Sequence, residues 1–455
     1  MILNTKGKLL SNTWPQWIAA IEVFMLAAST GFMFGWGSPY LVLLTSDESP
    51  LPITNVEASW IAAVLNLARA FGAIIGSVFM ALYGSKTTLF IAAVPPIFGW
   101  ICVIVANSVW WLYAARSLLG LSIGMIFASF PMYLGEISDP SIRGALVGFI
   151  MNGFTTGTVI GNIMGSYVTM AVFAYISLVP SVLYLISFIL IPQSPHYLVR
   201  ISKLEQAKKS IEWYHPNGNS EIELEAIVNF IKKSDKQSFT QRLKEMNQRK
   251  NRKSFFMIII LFFYMQLCGL NSILCYMEII LIDGKLTVIE PSTLVIIVNT
   301  TPVFLGLLTI YTLDKFGKKI ALCVSSSGAT LSMGLLGVHF MLLKLGYNSD
   351  NLQWLLILSM FLFHSIHLGV VQVPSAILGE VFPANLKPVA GLIASISSAL
   401  FAFVATKMYL PIVDLIGHEY LFWIFSGIML TCVAYSIFKL PETKGKTLQE
   451  IQDML

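Results

Sequence analysis

Long apolar runs separated by short polar breaks set the pattern of this chain. Each run is about 20 residues long, which is the length that an α-helix needs to cross the roughly 30 Å hydrocarbon core of a bilayer. The runs lack the alternation of apolar and polar positions that is typical of membrane β-barrels. The pattern predicts twelve transmembrane helices, at 17–44, 58–82, 87–107, 110–135, 144–170, 172–191, 255–282, 287–312, 319–344, 353–381, 387–410 and 420–439.

A longer polar segment separates the sixth and seventh runs. Within it, "LVRISKLEQAKKSIEWYH" and "SEIELEAIVNFIKKS" place apolar residues at three- and four-residue steps, which is typical of amphipathic helices. We therefore predict two six-helix bundles, at 17–192 and 255–440, joined by a helical linker at 193–254. Short tails at 1–16 and 441–455 complete the chain.

Composition and charge also indicate a membrane protein. Only 12% of the residues are charged, whereas a soluble domain has about 25%. The linker ends in a basic cluster beside the seventh run, made of Arg249, Lys250, Arg252 and Lys253. By the positive-inside rule this cluster predicts a cytoplasmic linker, and six spans on each side of it then predict two cytoplasmic termini. This topology and anionic lipid explain the net charge of +5 without a nucleic-acid partner.

The chain offers no catalytic or metal-binding pattern. It contains no phosphate-binding loop, HExxH motif or nucleophile elbow. The five cysteines all fall inside predicted spans, without disulfide or metal-ligand spacing: Cys102, Cys268, Cys275, Cys323 and Cys432. We therefore expect a protein that is not an enzyme and that needs no cofactor and no metal.

Three short motifs occur twice along the chain. "GEISDPSIRGALVG" and "GEVFPANLKPVAG" each place an acid seven residues before a base. The second pair is "YGSKTTL" and "FGKKIAL", and the third is "IPQSPHYL" and "LPETKGKTL". Because the two copies of each motif lie nearly half a chain apart, the bundles are predicted to be repeats around a central cavity. This is the architecture of alternating-access transporters.

The repeated acid and base suggest a gate. Glu136 and Arg143 in the first bundle, and Glu380 and Lys387 in the second, lie at predicted cytoplasmic ends of spans. If acid and base come within reach, ion pairs between helices can hold the outward-open state and break when the halves rock. The alternative is that these charges only mark the membrane boundary. The equal spacing in both halves favours the gate.

A set of motifs in the same order along nearly the whole chain resembles the sugar porter family of the major facilitator superfamily. The motifs are "GSK", "PMYLGEISDPSIRGAL", "PQSPHYLV", "QLCGLN", "LDKFGKK", "GEVFPANLK" and "LPETKGKTL". The resemblance implies an all-α membrane protein with twelve transmembrane helices in two pseudo-symmetric six-helix bundles. Within the family, "GWGSP", "EASWI" and "VATKMYLPIVDLIGHEYLFWIF" resemble the insect facilitated trehalose transporter-like group, whose members also include glucose, sucrose and polyol carriers.

The resemblance further implies which residues take part in gating. They are Gly84, Lys86, Glu136, Arg143, Asp314, Gly317, Lys318, Glu380 and Lys387. In the first bundle, Ala81 and Leu82 stand where the family has an acid and a base. We therefore expect the second bundle to contribute more of the gate.

The resemblance also implies a sugar site of neutral amides. Gln266 and Asn271 on the seventh span and Asn299 on the eighth are expected to bind sugar hydroxyls, because amides both donate and accept hydrogen bonds. Asn152 and His367 are further candidates. Five residues on one helix correspond to roughly 140°, so Gln266 and Asn271 are expected to flank a cavity. The alternative is that such amides only hold helices together.

Several positions depart from the family. Met151 and Met265 replace glutamines, Ser375 replaces a tryptophan, and Ala394 and Ser395 replace an asparagine–tryptophan pair. The loss of the two tryptophans reduces the apolar surface on which a sugar can stack. A hexose specialist is therefore disfavoured, and a sugar sensor or a transport-impaired relative stays open as an alternative.

The first span indicates whether transport is coupled to a proton gradient. Proton-coupled members of the family carry an aspartate where this chain has Gly37, and we find no carboxylate at the predicted bilayer centre. We therefore predict facilitative transport of a small neutral sugar across the plasma membrane by a functional monomer, with proton-coupled symport as an alternative. Arg69, inside the second span, is expected to be functional, because a lone charge there costs several kcal/mol.

Overall fold

The computed structural model describes residues 13–446 apart from 48, 50, 234–238, 367, 384, 443 and 445, together with residue 450, without the side chains of 233, 239, 240, 249, 250, 307–314 and 368. This part of the chain is helical and contains no strand. The helices of the first half and the linker are α1 (Trp14–Thr45), α2 (Asn55–Tyr83), α3 (Ser85–Ala92), α4 (Val94–Ile104), α5 (Val109–Ile137), α6 (Arg143–Tyr167), α7 (Met170–Phe188), α8 (Pro195–Arg200), α9 (Leu204–Tyr214), α10 (Ser220–Lys233) and α11 (Phe239–Met246). Those of the second half are α12 (Arg249–Leu267), α13 (Leu270–Asp283), α14 (Pro291–Phe316), α15 (Lys318–Lys344), α16 (Ser349–Ile366), α17 (Leu368–Val381), α18 (Lys387–Ile416) and α19 (His418–Phe438).

The twelve predicted spans are confirmed. Eleven helical segments in the described residues are long and apolar enough to cross a membrane. The twelfth is α14, which begins with the apolar stretch Pro291–Gly306 and continues to Phe316. Three spans consist of two helices each: α3 with α4, α12 with α13, and α16 with α17. The protein is therefore an all-α membrane protein of two six-span halves.

Small residues let the helices of each half approach closely. A Cβ atom added at Gly157 on α6 would lie 2.1 Å from the Ala28 carbonyl oxygen on α1. One added at Gly72 on α2 would lie 2.2 Å from the Leu121 carbonyl oxygen on α5. Backbone contact of this kind replaces the hydrophobic driving force that is missing between helices in lipid.

The linker forms the amphipathic helices that the sequence predicts, α8 to α10, with α11 in addition. Leu198, Val199 and Ala207 bury their apolar faces together. Tyr214 at the end of α9 reaches the first half, where its hydroxyl lies 3.0 Å from the Tyr133 hydroxyl. We call the end of the molecule that carries the linker the linker face, and the opposite end the far face.

The two halves meet at the far face. Lys407 Nζ on α18 donates to Ser59 Oγ on α2 at 2.6 Å, and the Glu278 backbone N–H on α13 donates to Ser38 Oγ on α1 at 3.0 Å. Near the linker face, by contrast, Lys318 bonds to Glu380 and Ser85 bonds to Glu136, each pair within one half. A Cβ added there at any of four glycines would meet nothing within 4 Å: Gly135, Gly144, Gly379 and Gly391. The molecule is therefore closed at the far face and open at the linker face.

Candidate functional site

Two of the predicted sugar-binding amides lie at a break in the seventh span. Gly269, with φ +88°, ends α12 and starts α13, so Gln266 and Asn271 belong to different helices. Asn271 Nδ2 donates to Gln266 Oε1 at 2.5 Å, and Gln266 Nε2 donates to Ser398 Oγ on α18 at 2.6 Å. The expectation that the two amides flank a cavity 140° apart on one helix is therefore wrong, because the left-handed glycine folds them into contact.

Asn299 on α14 differs from these two amides. Its side chain is 5% exposed, and its Nδ2 atom is buried without a hydrogen-bond partner among the described residues. An unpaired buried donor costs about 1–3 kcal/mol, so a ligand hydroxyl that accepts from it is favoured. Asn299 is thus the predicted amide with a donor left open for a sugar.

Asn152 joins the two halves. Its Nδ2 atom donates to the Val303 carbonyl oxygen on α14 at 3.2 Å, and its Oδ1 atom accepts from Thr156 Oγ1 at 3.2 Å. Both ends of this amide are therefore occupied by protein in the present state. His367, the remaining predicted site residue, lies outside the described residues.

The first span places Gly37 against a buried arginine. A Cβ added at Gly37 would lie 3.4 Å from Arg116 Nη2 on α5. Arg116 donates to the carbonyl oxygens of Met33, at 2.6 Å, and Ile61, at 3.2 Å, and its guanidinium lies 4.9 Å from the Trp36 ring centre. Backbone oxygens and an aromatic face thus stabilise this cation without a carboxylate at position 37.

The repeated acid and base do not pair with each other. In the second half, Glu380 accepts from Lys318 Nζ at 2.5 Å, whereas Lys387 is exposed. In the first half, Glu136 accepts from Ser85 Oγ at 2.5 Å, and Arg143 instead donates to the Ser138 carbonyl oxygen at 3.2 Å. With the linker face open, Glu136–Arg143 and Glu380–Lys387 are therefore unpaired, because in each half a residue of the neighbouring turn binds the glutamate. The two pairs were expected in the outward-open state, and for that state they stay a prediction.

Glu380 forms its ion pair within the second half. Glu380 and Lys318 lie in one half and remain paired while the linker face is open. The expectation that ion pairs break when this face opens concerns Glu136–Arg143 and Glu380–Lys387, and it stays a prediction. In the described residues, an ion pair in the second half corresponds to a neutral donor in the first. That the second bundle contributes more of the gate stays a prediction.

The two turns that carry Ser85 and Lys318 have the same backbone conformation at their glycine. Gly84 and Gly317 have φ values of +84° and +89°, which a residue with a Cβ rarely adopts. A Cβ at Gly84 would also lie 2.6 Å from the Tyr197 ring, and one at Gly317 would lie 2.6 Å from the Glu442 carboxylate. Tyr197 and Glu442 belong to the third repeated motif, so the predicted duplication extends to packing.

Lys86 is the predicted gating residue that follows Ser85 in the turn of the first half. Lys86 Nζ donates to the Ile191 carbonyl oxygen and lies 5.3 Å from the Phe188 ring centre. Lys86 therefore ties the turn to the end of the sixth span and makes no ion pair among the described residues. The Asp314 side chain lies outside the described residues.

His196 at the start of α8 is partly buried beside Glu136. Burial lowers the pKa of His196 below its ordinary value of 6.5, and the neighbouring Glu136 opposes that shift. The neutral form of His196 is therefore favoured at neutral pH. Glu136 accepts a hydrogen bond from Ser85 and does not face a fully charged imidazolium.

Sequence reasoning missed the contacts that close the far face. Lys407 Nζ lies 4.6 Å from the Trp60 ring centre in addition to its bond to Ser59. Glu278 inside the seventh span was also missed, and its Oε2 atom is buried without a partner among the described residues. A charged residue within each apolar run was the available signal in both cases.

The family model described as "Sugar (and other) transporter" matches residues 23–455. The facilitated trehalose transporter Tret1 of Polypedilum vanderplanki is 31% identical over 96% of this chain and 88% of its own length. Tret1 of Drosophila mojavensis is 30% identical over 96% of this chain. The chain spans 51% of that longer relative.

Solved structures agree on the fold. The inward open conformation of the xylose transporter XylE from E. coli has a TM-score of 0.80 at 19% identity and covers 96% of this chain and 99% of its own. The proton:xylose symporter XylE bound to 6-bromo-6-deoxy-D-glucose has a TM-score of 0.73 at 19% identity, with coverage of 96% and 98%. The chain therefore belongs to the sugar (and other) transporter family and has the major facilitator fold.

Proposed function

We propose that this protein is a facilitative carrier that moves a sugar, with trehalose as the first candidate and a hexose as the second, across the plasma membrane. The observation that carries the proposal is the amide cluster at the break of the seventh span together with the open donor of Asn299. The names of the Tret1 relatives support trehalose as the first candidate. The function is transport and not catalysis.

Alternating access explains the arrangement of the contacts between halves. With the basic linker in the cytoplasm, as the positive-inside rule predicts, the present state is open to the cytoplasm. Release of Lys407 from Ser59 and Trp60 would let the two bundles, taken as 17–192 and 255–440, rock apart on the outside. Asn152 and the amide cluster lie between the two ends of the spans, where a sugar would bind in exchange for their present bonds.

Uncoupled transport is supported by the surroundings of Gly37. Arg116 already has two carbonyl acceptors and an aromatic face, and position 37 has no side chain that could take up or release a proton beside it. The carrier therefore runs down the sugar gradient.

Proton-coupled symport is the second candidate, and Glu278 is the observation that favours it. Its carboxylate lies in a span at the seam between the halves, and one oxygen is buried without a described partner. A carboxyl group at such a seam can exchange a proton when the far face opens.

Uptake by the full chain in liposomes separates the two candidates. We expect saturable uptake of labelled trehalose that stops at equal concentrations and ignores a proton ionophore, both in the wild type and in Glu278→Gln. Glucose, sucrose and a polyol serve as competitors that define the substrate. Accumulation against the gradient that an ionophore abolishes, and that Glu278→Gln loses, would establish the second candidate. No uptake of any of these sugars would contradict both.

A further inference from the structure

Arg69 occupies the centre of the second span. It stands at the middle of the 29-residue helix α2. One turn before it, Asn66 contacts Thr406 of the second half, with Nδ2 and Oγ1 3.5 Å apart. One turn after it, Gly72 packs on the α5 backbone of its own half. The exposed face of α2 carries other residues, including Phe71 and Val78. Arg69 therefore points between α5 and α18, toward the interior of the molecule.

One nitrogen of the Arg69 guanidinium is left without an acceptor. Its Nη2 atom is fully buried and has no hydrogen-bond partner in the part of the chain that the structure describes. No described carboxylate forms an ion pair with it. Arg116 provides the internal comparison, because two carbonyl oxygens and the Trp36 ring stabilise that arginine. A buried donor of a cation without an acceptor is disfavoured, so the Nη2 atom of Arg69 has an acceptor missing.

Arg69 and the amide cluster each lie near the middle of their span. Gln266 falls near the middle of the 33-residue span Asn251–Asp283, as Arg69 does in α2. The two sites are linked through α18, because Thr406 contacts Asn66 and its carbonyl oxygen accepts from Tyr276 on α13 at 3.3 Å. The amides and the unpaired Nη2 atom of Arg69 in the opposite half therefore both lie near mid-span and both border on α18.

We propose that Arg69 is the anion-binding residue of the sugar site and that this carrier accepts monosaccharides bearing one carboxylate, such as hexuronates. The proposal rests on the sugar carrier function and names a substrate class for it. The planar guanidinium fork matches a carboxylate with two parallel hydrogen bonds. A single carboxylate neutralises the single cation, whereas a phosphate ester with a charge of about −1.5 to −2 leaves excess buried charge. The hydroxyls of the acid are left for the amides and Asn299.

Transport of such an acid carries charge. A hexuronate is ionised at neutral pH. Arg69 balances its charge in the loaded carrier, so no proton or second ion has to accompany it. The acid therefore crosses the membrane as a monoanion. An inside-positive membrane potential therefore speeds its uptake. A neutral sugar on the same carrier is insensitive to the potential.

Equilibrium binding to the purified full chain tests the proposal with D-glucuronate and D-glucose, which differ only in the oxidation state of C6. We expect wild-type protein to bind glucuronate more tightly, and Arg69→Gln to lower the glucuronate-to-glucose preference by roughly tenfold or more. Arg69→Lys keeps the charge but loses the fork, so its preference should be intermediate. The ratio of the two affinities is informative even if the variants express weakly. The preference of the wild type for glucuronate over glucose is measured without any variant.

The outcomes separate this proposal from the function on which it rests. Glucose or trehalose binding without glucuronate binding, or an unchanged preference in Arg69→Gln, overturns the role of Arg69 and leaves the neutral sugar carrier intact. Glucuronate binding that depends on Arg69 without trehalose uptake supports the role of Arg69 and contradicts the neutral carrier. In liposomes, potential-driven uptake of glucuronate but not of glucose supports the proposal, and equal sensitivity of both overturns it.

Discussion

Asn299 is the site amide at which a sugar can bind without displacing a bond that the described residues already make. Its Nδ2 donor is buried and has no described partner. We expect Asn299→Ala to weaken sugar binding by about 0.5–1.5 kcal/mol, or roughly two- to tenfold, because one hydrogen bond to a neutral group is lost. Equilibrium binding of labelled trehalose to the purified protein measures the change.

Gln353 on α16 is the matched control for that prediction. It is a buried amide whose Oε1 accepts from the Thr287 N–H at 2.9 Å and whose Nε2 donates to the Lys285 carbonyl oxygen at 2.8 Å. Gln353→Ala should lower thermal stability and leave sugar affinity unchanged. An equal loss of affinity in both variants would mean that Asn299 acts through the fold.

At the scale of residues, the sequence predicts chemical types better than contacts. It identifies the buried amides, because neutral polar groups inside apolar runs are conspicuous. It does not show that Gln266 is bonded to Ser398, since that partner lies 132 positions away. Nor does it show which amide keeps an open donor, which depends on every neighbour of Asn299.

At the scale of elements, the spans follow from apolar length and the breaks within them do not. A run of apolar residues continues across Gly269, yet its φ of +88° separates α12 from α13. Glycine is tolerated inside transmembrane helices, so the sequence does not distinguish a break from a packing glycine. The placement of Gln266 against Asn271 depends on that distinction.

The ion pair between α15 and α17 is the clearest interaction between elements at the linker face. Lys318 and Glu380 are 16% and 38% exposed in their side chains, so their pairing contributes about 1 kcal/mol. We expect Lys318→Glu or Glu380→Lys to lower the apparent Tm by about 2–4 °C, and the double charge swap to restore it. Thermal unfolding of the purified variants measures the effect.

Lys387 supplies the control for this pair. The spacing within the motif predicts Glu380–Lys387 pairing, whereas the structure leaves Lys387 exposed. Lys387→Gln should therefore leave the Tm unchanged. A Tm loss in Lys387→Gln, with no restoration by the charge swap, would favour the pairing inferred from spacing.

At the scale of the whole molecule, the duplicated motifs predict the two-half design, and packing bears this out. In each half the residue after the turn glycine, Ser85 or Lys318, binds the glutamate of the other motif. Which face is closed is not predictable from such repeats, because it depends on contacts between halves. The bond from Lys407 to Ser59 joins residues 348 positions apart and has no counterpart in the motifs.

The far-face seam determines how the two halves are distributed between their states. Lys407→Met removes one charged hydrogen bond and one cation–π contact, together about 1–3 kcal/mol, and should move the population toward the far-face-open state roughly 5- to 150-fold. Cys275 reports this opening, because it is buried beside Gly37 in the seam. In a background without the partly exposed Cys102 and Cys323, an impermeant thiol reagent applied from the far side should label Lys407→Met faster than wild type.

Lys344→Met is the matched control, because Lys344 pairs with Glu419 within the second half and should not open the seam. Equal labelling of all three proteins would mean that Lys407 does not hold the halves together.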